Sequence, residues 1–409
     1  MFESVYFNPL PTWLSPTSAK WAWVSLTAFA SLPGHFNRTI FDAPWATETD
    51  NSTLSKALNY INTTDFVAYD ERFLHIIGSG AKIERIQKLA FQTHEAPCYI
   101  PETRQLLFVE WGKPGGEDGI HDWQYLLDIE NNTLRKITTD PPVYNLHGCV
   151  HFQGKLYGVT DGYGDVETGK LVEIDPIPWK ARTLVNNFLG QPFGGFNDLE
   201  VDPEGNFWMT DSKSGWVSKS VYSYLIILKV TRLTINERQG RGIVDFTPPN
   251  DPSIYFVNKT TMQAKVVWTT TGNANGIALG PSGKTIYIPD TGVSEFRPSN
   301  KNPHGRRMLW AFDLADERPV PANQRLLMSP ISYFYDGIRA SGEGWLFAGS
   351  GDGVDVIDPE SGFVLGSIRT GGGDNVAVSM AFGEHEMWIV GKGGVWHVKD
   401  TKAKLKRDW

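Results

Sequence analysis

One pattern of apolar and polar positions recurs along the chain. An apolar run comes first, a turn rich in Pro, Gly and acidic residues follows, and an aromatic-rich run then ends near Asp or Gly. Each copy predicts two short strands joined by a tight turn, because strands favour aromatic and β-branched residues whereas turns favour Gly, Pro and Asp. In chain order the copies are HEAPCYIPETRQLLFVEWG, HGCVHFQGKLYGVTDG, FNDLEVDPEGNFWMTDS, ANGIALGPSGKTIYIPDTG, YDGIRASGEGWLFAGSGDG and the weaker VAVSMAFGEHEMWIVGKGG.

The number of copies predicts the architecture. Several copies are followed by a third strand-like run, such as KLVEIDP, SIYFVN or GVDVIDP. Repeats of roughly 40 to 60 residues that each hold about four strands are typical of radial propellers. Six copies therefore predict an all-β fold, a six-bladed β-propeller with four-stranded blades around a central channel. A β-sandwich, or two unrelated β-domains, is the alternative.

A propeller must also close its ring, usually with a strand from one terminus. We expect residues 66–78, FVAYDERFLHIIG, to supply this strand because they precede the first full copy. The propeller is therefore predicted over 66–400, after an N-terminal extension over 1–65 and before a C-terminal tail over 401–409. Within the extension, the apolar stretch 21–31 is either a signal segment placed behind an overlong leader or an ordinary buried segment.

One stretch, residues 217–239, fits no copy. It contains the apolar run YLIILKV and lengthens the interval between the third and fourth copies. An inserted hairpin over the channel mouth would explain it, and so would non-coding sequence retained by gene prediction. The second interpretation is slightly favoured, because the flanking sequences would join into an ordinary blade without it.

Charge and hydropathy argue against some classes of function. The net charge of -8 and the pI near 5.6 argue against a nucleic-acid partner, which requires a basic face. A hydrophobic content of 41% with a mean hydropathy of -0.28 fits a globular chain with a large core and no membrane span. The expected partner is therefore a small molecule, and the oligomeric state stays open.

The two cysteines and the glycosylation sequons bear on the compartment. Cys98 and Cys149 follow the starts of their copies by a similar offset, so we expect them on inner strands of neighbouring blades, close enough to bridge in a secreted protein. Five sequons occur, at Asn37, Asn51, Asn62, Asn131 and Asn258. They slightly favour a secreted glycoprotein over a cytoplasmic protein.

The residues that open the copies carry the candidate chemistry. The first strand of every propeller blade lines the channel, so these residues are expected to point to the axis at one mouth. Four of them offer oxygen ligands, namely Glu95, Asn197, Asn275 and Asp336. Two carboxylates and two carboxamides suit a hard divalent cation, and calcium best tolerates such a mixed set. Each residue alone is also an ordinary turn former, so their shared place in the repeat carries the prediction.

The motifs HEAPCY, FNDLEVDPEGNFWMTD, NANGIALGPSGKTIYIPDT and DGIRASGEGWLFAGSGDGVDVIDPESG resemble those of a known family. It is the gluconolactonase, senescence-marker-protein and luciferin-regenerating-enzyme family, and its fungal lactonohydrolase-like members are the most similar. The resemblance covers about residues 66–399. It implies a six-bladed propeller with one structural and catalytic divalent ion, held by the four residues named above. It also implies that Asp336 serves as the general base.

One departure from the family pattern concerns the substrate. Sugar-lactone members often carry Arg two residues before the first Asn ligand, where this chain has Gly195. Together with the aromatic and His residues near the copies, this favours a larger, apolar or polycyclic ligand over a polar sugar lactone. The candidate substrate-binding residues are His94, Tyr99, Trp111, His147, Gly195 and Tyr335. Packing is the alternative explanation for each of them.

Three functions are compatible with this site. The first is metal-dependent hydrolysis of a lactone or related ester in secondary metabolism, in which the ion polarises the carbonyl and Asp336 removes a proton from water. The second is a hetero-Diels-Alder cyclisation, for which propellers of this resemblance are recruited in fungal tropolone-sesquiterpenoid pathways. The third is a non-enzymatic carrier, which would not require four metal-type ligands at one mouth.

Overall fold

The chain folds as a six-bladed β-propeller, as the repeats predicted. The computed structural model describes residues 4–14, 17–38, 44–89, 92–111, 122–162, 167–212, 250, 252–269, 272–292, 294–296, 300–301, 305–315, 319–332 and 334–409. Six antiparallel sheets contribute the blades, and the first strand of each sheet packs against the first strands of its two neighbours. The contacts between the first strands of the first and last blades close the ring.

Each blade has four strands in simple up-and-down order, counted from the channel outward. Blade one comprises Gln92–Ile100, Gln105–Trp111, Trp123–Asp128 and Leu134–Lys136. Blade two comprises Leu146–Phe152, Lys155–Thr160, Leu171–Asp175 and Lys180–Val185. Blade three comprises Phe196–Val201, Phe207–Asp211, Ser253–Val257 and Ala264–Thr269. Blade four comprises Ala278–Leu279, Thr285–Asp290, Met308–Leu314 and Pro321–Met328. Blade five comprises Ile338–Ala340, Leu346–Ser350, Gly353–Ile357 and Val364–Arg369. Blade six comprises Ala377–Phe382, Met387–Gly391, Gly394–Lys399 and Lys82–Gln87.

The first strands come so close to one another that some positions have no room for a side chain. A Cβ atom on Gly276, in blade four, would lie 2.5 Å from the carbonyl oxygen of Asp336 in blade five. This position therefore requires glycine for steric reasons. The apolar residues of the blades pack between neighbouring sheets, where clusters of buried Leu, Ile, Val and Phe form the core.

The last blade is completed by Lys82–Gln87, a strand from the N-terminal part of the chain. The prediction that 66–78 supplies this closing strand was therefore wrong. Lys82–Gln87 pairs with Gly394–Lys399 at the outer edge of blade six. Within 66–78, Phe66–Ala68 is added to the outer edge of blade five, and Glu71–Ile77 is a helix. The apolar pattern was misleading because the closing strand, KIERIQ, lies largely exposed and needs little apolar character.

The N-terminal extension packs on blade five. Trp21–Trp23 pairs in parallel with Phe66–Ala68, which makes this sheet six-stranded. The remaining elements outside the blades are the 3-10 helix Thr12–Leu14, the α-helices Leu26–Phe29, Ser52–Ile61 and Glu71–Ile77, and the short strand pairs Phe36–Arg38 with Thr47–Thr49 and Ser294–Phe296 with Asn300–Lys301. Trp21, Ala22 and Val24 are buried, so part of the apolar stretch 21–31 contributes to the core. No helix in the described part of the chain is long and apolar enough to cross a membrane.

The C-terminal tail covers the end of the channel opposite the strand starts. Arg407 donates a hydrogen bond of 2.7 Å to the buried carboxylate of Glu200, which lies on the first strand of blade three. Trp409 donates from its indole to the carbonyl of Pro281 at 3.0 Å. The buried side chain of Leu405 joins the core beside blades five and six. The tail therefore bridges several blades at this end of the channel.

Cys98 and Cys149 lie on the first strands of blades one and two, which confirms their predicted positions. Both thiols are free and buried in one apolar cluster. Burial, together with a hydrogen bond that the Cys98 thiol donates to the neighbouring Cys149, raises the pKa of Cys98 well above its usual value. The two thiols are therefore in contact, and Cys98 is poorly reactive because the thiolate is the reactive form.

We expect both cysteines to react slowly with an alkylating reagent in the native protein at pH 8 and rapidly in denaturant. The physical reason is the burial that disfavours the thiolate of Cys98. Mass spectrometry of the protein quenched at successive times measures the rate. Recovery of a Cys98–Cys149 disulfide without added oxidant would contradict the expectation.

The stretch 217–239 lies outside the described residues. The two strands of blade three on either side of it, Phe207–Asp211 and Ser253–Val257, pair in regular antiparallel register without a bulge. We therefore predict that deletion of 217–239 leaves a folded protein whose Tm changes by only a few degrees. Thermal unfolding followed by circular dichroism measures this, and loss of the folded state on deletion would show that the stretch is an integral part of the blade.

Candidate functional site

The first strands position one ring of side chains at the mouth opposite the tail. Strand pairing between the first and second strands shifts register next to Glu95, His147, Asn197 and Val378, in blades one, two, three and six. A bulge places an extra residue in one strand and changes the direction of its side chain. The sequence repeat could not show these bulges, because a bulge changes pairing without changing composition.

Direct contacts connect neighbouring members of the ring. The imidazole Nδ1 of His147 lies 2.8 Å from the carbonyl oxygen of Asn197, so that nitrogen donates to it. Asn275 lies shortly before the strand Ala278–Leu279, and the residue after it, Gly276, approaches the carbonyl oxygen of Asp336 so closely that the two backbones are neighbours. The main-chain N–H of Asp336 donates to Gly349 at 3.0 Å. The structure thus joins His147 to Asn197 directly and brings the backbones next to Asn275 and at Asp336 together.

Aspartates at the ends of second strands hold the loops that precede the two Asn residues. In blade four, Asp290 Oδ1 accepts hydrogen bonds of 3.0 Å from the main-chain N–H groups of Asn273 and Gly292. In blade three, the carboxyl of Asp211 accepts hydrogen bonds from the main chain of Gly194 and Gly195. The sequence analysis did not select these aspartates. Their signal was the recurring Asp that ends the aromatic-rich run of several copies.

A buried ion pair crosses the channel below the ring. Arg339, on the first strand of blade five, donates to Asp198 Oδ2 at 2.8 Å, and both side chains are almost fully buried. Burial by itself would lower the pKa of Arg339, but the facing carboxylates raise it above its usual value. Asp198 contributes most, followed by Glu200 and Glu95. Glu95 therefore lies on the channel side of blade one, within electrostatic reach of this arginine.

The charges of the channel fit a divalent cation. Arg339 pairs with Asp198, and Arg407 pairs with Glu200. Glu95 and Asp336 are two further carboxylates of the ring, and a divalent ion held beside them would bring a matching charge of two.

The donor atoms of the ring also fit such an ion. The Oδ1 atoms of Asn197 and Asn275 are buried and accept no hydrogen bond from any described residue. A buried carboxamide oxygen without a donor is costly unless an ion or water interacts with it. Among the described residues, no three His, Cys, Asp or Glu side chains form a cluster that could hold a metal. The predicted ligand set contains only two such residues, so its neutral Asn oxygens have to complete it.

The candidate substrate-binding residues are distributed over several places. His147 belongs to the ring and is fully buried. Gly195 has a φ of 147°, and a Cβ atom there would lie 3.0 Å from the carbonyl oxygen of Asp161. An arginine at this position would therefore strain the backbone as well as the packing. The side chains of His94 and Trp111 lie outside the described set.

The two tyrosines of the prediction do not join the ring. Tyr335 is buried within the core of blades four and five, and its hydroxyl donates to Asp355 Oδ2 at 2.9 Å. Tyr99 stacks on Trp388 with ring centroids 4.4 Å apart. It lines a small cavity of about 110 Å³ beside Cys149 and Arg407, toward the end covered by the tail. Residue type alone did not reveal which side of the blade these rings occupy.

Comparisons with known proteins agree with the propeller fold. A family model described as SMP-30/Gluconolactonase/LRE-like region matches residues 94–390. Lactonohydrolase oryH of Aspergillus oryzae is 28% identical over 385 residues, which cover 82% of this chain and 80% of that protein. The fold is similar to the gluconolactonase XC5397 of Xanthomonas campestris, with a TM-score of 0.61, 20% identity and coverage of 82% and 94%. It is also similar to the calcium-binding protein regucalcin of Agrobacterium tumefaciens, with a TM-score of 0.52, 14% identity and coverage of 79% and 95%.

We predict that Asp211→Asn flattens the pH dependence of stability. Burial raises the pKa of Asp211 from 3.8 to about 8, although three main-chain hydrogen bonds lower it. Between these values the folded protein keeps a proton that the unfolded chain releases, so the free energy of unfolding falls as the pH rises. One such proton gives a slope of about 1.4 kcal/mol per pH unit, which the variant should lack. Urea unfolding at several pH values measures the slope.

Asp313→Asn serves as the control for this experiment. Hydrogen bonds from Asn323 and Arg325 lower the pKa of Asp313, so its contribution to stability is lost only in acid. Its slope above pH 5 should match that of the unaltered protein. Equal slopes for the Asp211→Asn variant and the unaltered protein would contradict the prediction.

Proposed function

Because the chain belongs to the SMP-30/Gluconolactonase/LRE-like family, we propose that it is a divalent-metal-dependent hydrolase of a lactone or a related ester. The observation that carries the proposal is the pair of buried Asn197 and Asn275 carboxamide oxygens that accept no hydrogen bond from any described residue. They open their copies at the same repeat position as the carboxylates of Glu95 and Asp336. The names of the lactonohydrolase and gluconolactonase relatives support the reaction class.

Calcium is the proposed ion. All four proposed ligands offer oxygen, and calcium accepts a mixture of carboxylates, carbonyl-type oxygens and water in flexible geometry. The description of regucalcin as calcium-binding supports this choice. When bound, the ion would polarise the lactone carbonyl as a Lewis acid.

The channel residues have separate proposed roles in the reaction. Asp336 is proposed to accept the proton of the attacking water, because it is the ring carboxylate that the family resemblance assigns as the base. Glu95 supplies the second negative charge. The ion pair of Arg339 with Asp198 below the ring keeps the channel floor polar, and it leaves the Asp198 carboxylate paired. No serine or cysteine nucleophile is required by this scheme.

The substrate is proposed to be a larger and less polar lactone than a sugar lactone, of the kind found in secondary metabolism. Gly195 offers no side chain to substrate hydroxyls, and a side chain there would be strained by the φ of 147° and by the approach of its Cβ to 3.0 Å from the carbonyl oxygen of Asp161. His147 is the proposed polar contact on this side, since its hydrogen bond to Asn197 fixes its orientation. The cycloaddition alternative gains no support from the relatives, whose names refer to lactone hydrolysis.

Asp336→Asn is the sharpest test of this function. The variant retains an oxygen for the ion but loses the proton acceptor, so we expect calcium binding to be largely kept while turnover falls by about 10² or more. A panel of lactones of increasing size, assayed with calcium and after chelation, measures turnover. Calorimetry measures calcium binding. Near-normal turnover of the variant at saturating calcium would remove Asp336 from the role of base.

Asn197→Ala and Asn275→Ala provide the contrast. They remove only neutral oxygen ligands, so calcium affinity should fall first and activity should recover in part at high calcium. An unaltered, calcium-loaded protein that leaves the whole lactone panel intact would overturn the proposed hydrolysis.

A further inference from the structure

Thr210 connects the two carboxamide residues of the ring. Its hydroxyl accepts a hydrogen bond of 3.0 Å from the main-chain N–H of Asp198, the residue directly after Asn197. The same hydroxyl donates to the main-chain carbonyl of Asn275 at 2.5 Å. One side chain of blade three thus joins the backbone beside the first carboxamide to the backbone of the second, in blade four.

The position of Thr210 makes this link rigid. Thr210 lies in the second strand of blade three, Phe207–Asp211, and its side chain is fully buried. Its branched Cβ restricts the side chain to few rotamers. Solvent therefore does not compete for the hydroxyl, whose other acceptor, the carbonyl of Asp198, lies farther away at 3.3 Å.

Each carboxamide residue is consequently held by the blade that precedes it. His147 of blade two donates to the carbonyl of Asn197, and Thr210 of blade three donates to the carbonyl of Asn275. In its own blade, Asn275 lies before the strand Ala278–Leu279, and its main-chain N–H donates to the carbonyl of Pro289 at 3.1 Å, next to the isolated bridge of Ala274 with Asp290. The hydroxyl of Thr210 adds a hydrogen bond to the Asn275 carbonyl from the neighbouring blade.

We propose that Thr210 is a positioning residue that sets the separation of the Asn197 and Asn275 side-chain oxygens for a divalent cation. This inference rests on the cation site proposed above. Ligand oxygens must lie about 2.3–2.6 Å from calcium, and groups that orient ligands from behind commonly change metal affinity 10- to 100-fold when removed. Thr210 acts through the two asparagines and does not contact the ion.

Thr210→Val and Thr210→Ser test the proposal. Valine keeps the branched shape and removes the hydroxyl, so the calcium dissociation constant should rise by about 10-fold or more. Serine keeps the hydroxyl and should remain within about threefold of the unaltered protein. Isothermal titration of the chelator-treated protein with calcium chloride alone gives these constants without an enzymatic assay.

Thr160→Val is the matched control. Thr160 ends the second strand of blade two, is also fully buried, and its hydroxyl accepts from Lys170 at 3.1 Å. This variant should keep the calcium affinity even if it lowers the Tm. For Thr210→Val we expect the calcium-induced rise in Tm to shrink, whereas a purely structural role would lower the Tm equally with and without calcium.

A double-mutant cycle identifies the route of the effect. If Thr210 acts through Asn275, the combination of Thr210→Val with Asn275→Ala should weaken calcium binding no more than Asn275→Ala does. Losses that add fully to those of both Asn275→Ala and Asn197→Ala, or unchanged affinity in Thr210→Val, would overturn the proposal while leaving the cation site intact. Absence of calcium binding by the unaltered protein would instead refute the cation site itself, and the role of Thr210 with it.

Discussion

The convergence of six first strands on one axis is the constraint on which the rest of this structure depends. Near the axis the strands approach so closely that a side chain at Gly276 would collide with the backbone of the next blade. Only a few side chains can therefore project into the channel, and those that do are forced together. This geometry turns residues that are far apart in the chain into one compact set of polar groups.

The charged groups of such a set need partners of opposite charge, because burying an unpaired charge costs free energy. The channel meets this requirement in two layers, with Asp198 against Arg339 and Glu200 against Arg407. The second pair depends on the C-terminal tail, which brings Arg407 from outside the repeat. The tail thus covers one end of the channel and pairs with a buried glutamate there, while the ring proposed to hold the ion lies at the other end.

Preorganisation of the two asparagines comes from neighbouring side chains, one of which, His147, belongs to the ring itself. Asp211 and Asp290 hold the loops before the two asparagines, and Thr210 and His147 hold their carbonyls. Fixed donors and acceptors stabilise developing charge more effectively than mobile ones, because they need little reorganisation during the reaction. The supporting contacts cross from one blade to the next, so the order of the blades contributes directly to the site.

The sequence alone determined the number of blades and the residues that open them, because a propeller repeats one local pattern and each copy has its own strand and turn signals. Glu95, Asn197, Asn275 and Asp336 could be selected for the same reason, since a shared place in the repeat means a shared level in the ring. Whether these four bind an ion remains a proposal. Only the tertiary structure decided the rest: that the exposed strand Lys82–Gln87 closes the ring, that Tyr335 is directed into the core, and that Thr210 bridges two blades. These features depend on neighbours in space: which strand pairs at the edge of a blade, which way an aromatic side chain points, and which distant carbonyl a hydroxyl reaches. The local pattern of the chain does not contain this information.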